Sequence, residues 1–88
     1  MNQNLKALIA ENFRNTKLGF LRIKRNLLIT SYSDSETEEY LKAIMLSTPL
    51  ESIETLGKNH YFRNKEYNAI LTINSHSLTV ITVKKLHG

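Results

Sequence analysis

Cysteine and tryptophan are absent from the 88-residue sequence, proline occurs once and glycine three times. Without cysteine the chain has no disulfide bond, no zinc site built on thiolates and no thiol nucleophile. It also lacks a run of about 18 apolar residues that could cross a membrane. Its first residues lack the basic start and the apolar stretch of a signal peptide. We therefore expect a cytoplasmic protein with no cofactor, no metal and no membrane contact.

The residues that are present have the composition of a small folded protein. Apolar residues make up 41% of the chain and charged residues 23%, which is typical of a globular protein and not of a disordered one. The length favours a single domain over residues 1–88. Asn, Lys, Ile and Leu are abundant, which is typical of an AT-rich genome and indicates low-GC bacteria or their mobile elements.

Charge is segregated along the chain, behind a net charge of +4. Residues 1–31 carry six basic side chains and one acidic one, residues 32–56 carry six acidic and one basic, and residues 57–88 carry five basic and one acidic. If the two basic blocks meet in the fold, they form a surface of one sign. The alternative is that the charges only solvate helix faces and place acidic groups in a helix's first turn.

Apolar residues recur at three- and four-residue spacing over residues 5–13 and again over residues 18–28, which predicts amphipathic helices. In the first segment Leu5, Leu8, Ile9 and Phe13 form the apolar stripe, and Lys6 falls on the polar side. A break near residues 15–16, with Thr16 as a cap, is favoured, but one helix or two over residues 3–28 stays open.

A third helix is predicted after a polar linker. Its capping box is either Ser35 with Glu38 or Ser33 with Glu36. It should end near residues 47–48, because Pro49 disfavours helical backbone at the residue before it.

From Gly57 onward the period of the apolar residues changes from 3.6 to 2, which predicts strands at residues 60–63, 69–74 and 78–84, with a further one possible at 53–56. The sequence therefore predicts an α+β fold, with two or three N-terminal helices packed on a C-terminal antiparallel meander of three to four strands. Residues 1–50 are mainly helical and residues 53–86 form the meander. A three-residue turn at 75–77 places Ile81 on the face toward the helices and Val80 on the other, and a different turn would change this register.

The predicted partner-binding residues come from both basic blocks. They are Arg22, Lys24, Arg25, Lys58, His60, Arg63, His76 and Lys84. Helices 3–15 and 16–28 could imitate a helix-turn-helix pair, and Gly57-Lys58-Asn59 could bind an anion through its backbone. The alternatives are solvated cations that flank an apolar stripe and a tight turn that enters the sheet.

A catalytic interpretation of the same residues is also open. His60 or Tyr61 would act as general acid or base and Arg63 would hold a scissile phosphate, as in metal-independent ribonucleases. This chemistry requires His60, Arg63 and His76 to converge on one phosphate. The three histidines lack the spacing of a metal site.

The C-terminal half carries three short motifs: Gly57-Lys58-Asn59-His60-Tyr61, then Thr72-Ile73-Asn74-Ser75, then Val80-Ile81-Thr82. Together they resemble an uncharacterised family of small bacterial proteins, a domain of unknown function whose members look like GKN-x-Y followed by TINS and VIT. Residues 21–27 also resemble that family's Arg-Ile-containing helix. The resemblance implies a shared fold and an origin on phages or integrative elements, and no established activity comes with it.

Two classes of function fit these observations. The favoured one is a small non-enzymatic binding protein that occludes a nucleic-acid or nucleoprotein partner, for example an anti-CRISPR-like inhibitor of a host nuclease. In this class the acidic segment, residues 34–54, is an alternative contact with a basic channel. The second class is a ribonuclease-like toxin that uses His60 and Arg63. Pairing of the last strand's edge or of the outer sheet face with a second copy would also make a homodimer.

Overall fold

Three helices precede a four-stranded antiparallel sheet in the computed structural model, which describes residues 1–88. The helices are α1 (Gln3–Asn12), α2 (Lys17–Asn26) and α3 (Asp34–Ser47), and a 3₁₀ turn follows at Leu50–Ser52. The strands are β1 (Ile53–Leu56), β2 (Asn59–Asn64), β3 (Ala69–Asn74) and β4 (Val80–Lys85), in the sheet order β1-β2-β3-β4. The predicted α+β fold is confirmed, with three helices and four strands.

Side-chain caps decide where the helices begin. The hydroxyl of Thr16 accepts a hydrogen bond from the backbone N–H of Gly19 at 2.9 Å, so residues 3–28 form two helices and not one. At α3 the hydroxyl of Ser33 accepts from the N–H of Glu36, whose carboxylate accepts from the N–H of Ser33. The capping box therefore uses Ser33 and Glu36, and the frame with Ser35 and Glu38 is not the one formed.

The C-terminus of α3 is held by buried polar side chains. The prediction that Lys6 lies on the polar side of α1 is wrong, since this residue is only 5% exposed. Its Nζ donates to the carbonyl oxygens of Leu46 at 2.9 Å and Thr48 at 3.1 Å. The last carbonyls of a helix have no partner in the helix and carry partial negative charge, so an ammonium group stabilises them.

The core lies between the helices and one face of the sheet. Its 13 buried apolar residues include Phe62, Leu71 and Val83 from the sheet, and Leu41 and Ile44 from α3. In β2 and β3 buried residues alternate with more exposed ones, as expected of a sheet covered on one face. All three helices contribute residues to this core, so none of them covers the opposite face of the sheet.

A β-bulge reverses two predicted positions in β4. Ile73 pairs with Val80 and Thr72 pairs with Thr82, so Ile81 is an extra residue between the two pairs. Val80 is buried at 7% exposure and Ile81 is 49% exposed, the opposite of the prediction. The three-residue turn assumed from the sequence cannot produce this register, which includes an extra residue.

Several leucines predicted for apolar helix stripes lie on the surface. Leu8 of α1 is 52% exposed, and Leu18 and Leu21 of α2 are 58% and 63% exposed. Ile23 is the single buried residue of α2. Helix α2 therefore contacts the core through one residue and leaves apolar side chains exposed to solvent.

Candidate functional site

Helix α2 is fixed along the β4 edge of the sheet by backbone and side-chain hydrogen bonds. The N–H of Arg14, in the linker before α2, donates to the carbonyl of Leu78 at 3.0 Å, and the N–H of Val80 donates to the carbonyl of Arg14 at 2.9 Å. Near the other end of α2 the Nδ2 of Asn26 donates to the carbonyl of Val83 at 3.0 Å. These contacts place the linker and α2 along the outermost strand.

The outward side of α2 is apolar and cationic. At 3.6 residues per turn, Lys17, Leu18, Leu21, Arg22 and Arg25 fall within an arc of about 140°. All five side chains are exposed. The solvent-facing side of a helix usually carries charges of both signs, whereas this arc carries positive charges and no negative one.

A groove of about 290 Å³ runs between α2 and β4. Arg22 borders it on the helix side, and Thr82 and Lys84 border it on the strand side. A side chain at Gly19 would collide with the carboxamide oxygen of Asn15. The glycine therefore leaves room for the side chain of Asn15 at one end of the groove.

Most basic side chains without a partner lie at this edge. Three of the 12 Lys and Arg residues pair with carboxylates: Lys24 with Asp34 at 2.6 Å, Lys42 with Glu11 at 3.0 Å and Arg63 with Glu54 at 3.2 Å. Lys6 is engaged by α3. Six of the eight that remain lie in the linker before α2, on α2 or on β4. We call these six the basic edge: Arg14, Lys17, Arg22, Arg25, Lys84 and Lys85.

Acidic residues are absent from both segments that build the basic edge. No Asp or Glu occurs in residues 12–33 or in residues 67–88. The carboxylates instead lie mainly on α3, on the 3₁₀ turn and on β1, and β1 is the opposite edge of the sheet from β4. The fold thus brings together the two basic blocks that the sequence separates.

Three of the six acidic side chains in the acidic segment, residues 34–54, are engaged within the fold. Asp34 pairs with Lys24, Glu36 closes the capping box and Glu54 pairs with Arg63. The hydrogen bonds from Ser33 hold the pKa of Glu36 below its usual 4.5. These contacts give half of the acidic side chains a structural role.

Six of the eight predicted partner-binding residues are divided among three places. Arg22, Arg25 and Lys84 belong to the basic edge, whereas the ion pair draws Lys24 toward α3. Lys58 and His76 lie in neighbouring turns at one end of the sheet, where the N–H of Ser75 donates to the carbonyl of Lys58 at 2.7 Å.

The residues of the catalytic interpretation do not converge. His60 faces the helices and is 6% exposed, and its Nδ1 lies 2.7 Å from the hydroxyl oxygen of Thr55. Burial, and then the positive charge of the chain's amino terminus, lower the pKa of His60. Tyr61 and Arg63 lie on the opposite face of the sheet because alternate residues of a strand point in opposite directions. His76 is exposed in the β3–β4 turn, so the structure does not bring the required side chains to one phosphate.

No group of three or more His, Asp or Glu side chains is arranged to hold a metal ion. None of the helices has the length and apolar character needed to cross a membrane.

Comparison with known protein families matches residues 7–84 to a family described as a protein of unknown function, DUF3781. The chain belongs to the DUF3781 family. The expected membership of an uncharacterised small-protein family is thereby confirmed. No curated protein and no solved structure matches this DUF3781 chain. The matched range contains every residue of the basic edge except Lys85.

Sequence reasoning missed part of this DUF3781 surface. Arg14, Lys17 and Lys85 were not among the predicted partner-binding residues. Leu18, Leu21 and Ile81 were assigned to buried faces. The absence of carboxylates from residues 12–33 and 67–88 was the signal that could have identified the cations. Nothing in the local pattern reveals the bulge that exposes Ile81.

Proposed function

We propose that this DUF3781 protein is a small non-enzymatic binding protein that docks its basic edge on the phosphates of a nucleic acid, either free or within a nucleoprotein, and acts by covering it. The observation that carries the proposal is the set of six basic side chains, without a carboxylate among them, on α2, the linker before it and the adjacent strand β4. Three of them, Arg14, Arg22 and Arg25, are arginines, whose planar guanidinium group can donate two hydrogen bonds to one phosphate.

The physical basis is electrostatic. A surface of one sign attracts a polyanion, and binding releases the counterions condensed on it, so affinity falls steeply as the salt concentration rises. The exposed Leu18 and Leu21 on the same arc add apolar contact beside the cations. Docking of this kind needs no convergence of His60, Arg63 and His76.

In its more specific form, the partner is a host nuclease bound to its nucleic acid, and covering that nucleic acid inhibits the nuclease. This form agrees with the small size of the chain and with the AT-rich composition that points to mobile elements. It is tested by adding the purified protein to such a nuclease in increasing molar ratio, because occlusion requires inhibition at near-stoichiometric amounts.

The experiment that tests the general form measures binding by the fluorescence anisotropy of labelled oligonucleotides, about 20 nucleotides long, as duplex and as single strand. The salt concentration is about 50 mM in one series and about 200 mM in the other. We compare the wild type with the Arg22→Glu/Arg25→Glu variant and with the Lys58→Glu/Lys65→Glu variant. Both variants change the net charge by the same amount, but only the first changes the basic edge. Thermal unfolding of each variant verifies that it is folded.

The expected result is salt-dependent binding that falls at least 10-fold in the Arg22→Glu/Arg25→Glu variant and less than 3-fold in the control. Equal losses in the two variants would mean that net charge, and not this surface, attracts the oligonucleotides. Absence of binding by the wild type at low salt would contradict the proposal.

A further inference from the structure

We propose that the outer face of the sheet is a stacking platform for single-stranded nucleic acid, centred on Tyr61. The proposal rests on the function proposed above and names its substrate class. Tyr61 lies on the inner strand β2, on the sheet face that no helix covers, and its side chain is partly exposed. An aromatic ring presented on an open sheet offers one face to a splayed base.

Tyr61 differs from the other tyrosines of the chain. Tyr32, Tyr40 and Tyr67 pack edge to face in a row, with ring centroids 5.7 Å and 5.4 Å apart. Tyr61 pairs with no other ring and packs under no helix. All four tyrosines are partly exposed, but three of them pack on one another and only Tyr61 has no ring partner.

The surroundings of Tyr61 suit a strand of nucleotides. On one side, β3 and β4 place Thr72 and then Thr82 in the same row across the sheet. The next row contains Arg63, Ile70 and Lys84. Arg63 is paired with Glu54, so Lys84 is the unpaired cation within reach of a backbone phosphate. These hydroxyl and cationic groups can donate hydrogen bonds to phosphate oxygens, to sugar oxygens or to the edges of bases, while the sheet face stays open to water.

On the other side of Tyr61 the neighbour is Glu54 of β1. Its carboxylate repels phosphate and pairs with Arg63. A bound strand is therefore directed from Tyr61 across β3 and β4, over a distance of about 10 Å at the usual strand spacing. Lys84 stands at the end of this path and also borders the groove beside Arg22, so the platform continues into the basic edge.

A duplex cannot use this platform, because its bases are stacked inside the helix and cannot lie on the ring. The basic edge alone accepts duplex and single strand alike. The platform adds affinity for single strands only, and this difference separates the two proposals.

The test compares the wild type with Tyr61→Phe, Tyr61→Leu and Tyr61→Ala on a 12-residue oligo(dT), a 12-residue oligo(U) and a duplex of equal length. Tyr61→Phe keeps the ring and Tyr61→Leu keeps an apolar side chain on the strand, so both variants should fold. Tyr61→Leu therefore shows the effect of losing the ring in a folded protein. We expect Tyr61→Leu and Tyr61→Ala to lose about 10-fold in affinity for the single strands, Tyr61→Phe to stay within 2-fold, and duplex binding to stay unchanged. Amide NMR shifts on adding oligo(dT) should include Thr72 and Thr82.

Single-strand affinity that survives in folded Tyr61→Leu would overturn the platform. If the Arg22→Glu/Arg25→Glu variant nevertheless lost binding, the basic edge would stand without it. An equal loss of duplex and single-strand binding in Tyr61→Leu would also overturn it, since stacking cannot account for a duplex effect. If the wild type bound none of the three probes, the basic edge and the platform would fail together.

Discussion

Helices α3 and α2 both pack on the inner side of the sheet, but they are bound to the fold in different ways. α3 buries four residues of its 14, begins with a capping box and ends on the side chains of Lys6 and Asn64. α2 buries one residue of its 10 and presents cations and leucines to solvent. The difference indicates that stability is concentrated at α3 and that the surface of α2 is free to serve a partner.

Replacing Asn64 should weaken the α3 side most. Its Nδ2 lies 3.0 Å from the carbonyl of Ile44 and from the hydroxyls of Ser47 and Thr48, and its Oδ1 accepts from the N–H of Tyr67 at 2.9 Å. Asn64→Ala removes these hydrogen bonds and the packing of a side chain that is only 1% exposed, and it leaves the N–H of Tyr67 without a partner, at about 1–3 kcal/mol for that group. The carbonyl of Ile44 still accepts from the hydroxyl of Thr48 at 2.6 Å. We expect the free energy of unfolding to fall by about 3 kcal/mol in urea denaturation.

Asn12→Ala is the matched control for this variant. Asn12 also donates from its Nδ2 to a main-chain carbonyl, that of Leu8 at 2.9 Å, but the bond is exposed and water can replace it. Its loss should cost no more than about 0.5 kcal/mol. Similar costs for the two variants would mean that the α3 terminus is not a centre of stability.

The capping box of α3 is the next largest contribution. Ser33→Ala removes the hydroxyl that accepts from Glu36, and an N-cap serine is worth about 1 kcal/mol. Ser35→Ala changes the residue of the other possible frame, makes no change to a hydrogen bond and should alter stability by less than about 0.5 kcal/mol. The two thermal unfolding curves decide between the frames, and a larger loss in Ser35→Ala would contradict the structure.

The capping box of Ser33 and Glu36 should make the stability of the protein depend on pH in the acid range. Because hydrogen bonds from Ser33 depress the pKa of Glu36 in the folded state, its contribution to stability is complete above the unfolded value of 4.5. It is lost as the pH falls through the lower folded-state pKa. Glu36→Gln should therefore reduce the loss of stability that the wild type shows as the pH falls below 4.5, as measured by urea denaturation at a series of acid pH values, and an unchanged loss would contradict the prediction.

His60 should make stability depend on pH nearer neutrality. Burial disfavours the charged imidazole, so the pKa of His60 is lowered from 6.5 in the folded state, and the unfolded state binds the proton first. Stability should be complete above about pH 6.5 and fall as the pH drops below it toward the folded-state pKa. His60→Gln should reduce this slope in urea denaturation between pH 5 and 7.5, and a slope unchanged by the substitution would contradict the prediction.

The fold was largely predictable because it depends on periodicity and caps. The switch of period at Gly57, the Thr16 cap and Pro49 place the elements within a few residues of where they lie. Two details were not predictable from local pattern. The β4 bulge depends on the long β3–β4 turn, in which Leu78 adopts a φ of 59°, and the burial of Lys6 depends on carbonyls 40 residues away.

The candidate site was predictable only in part. Segregated charge identified the two basic blocks, but their meeting depends on α2 lying beside β4, a contact between segments some 60 residues apart in the chain. His60 and Arg63 looked like partners because they are close in sequence. Their separation by three residues instead places them on opposite faces of the strand.

The smallest effect on stability is expected on the outward arc of α2. Leu21 is 63% exposed, so Leu21→Gln removes little buried apolar area and should change the free energy of unfolding by less than about 0.5 kcal/mol. Ile23→Ala, two residues along the same helix but 3% exposed, should cost at least about 2 kcal/mol. Urea denaturation measures both. A loss above about 1 kcal/mol in Leu21→Gln would mean that the fold itself uses this arc, and the contrast between α2 and α3 would then fail.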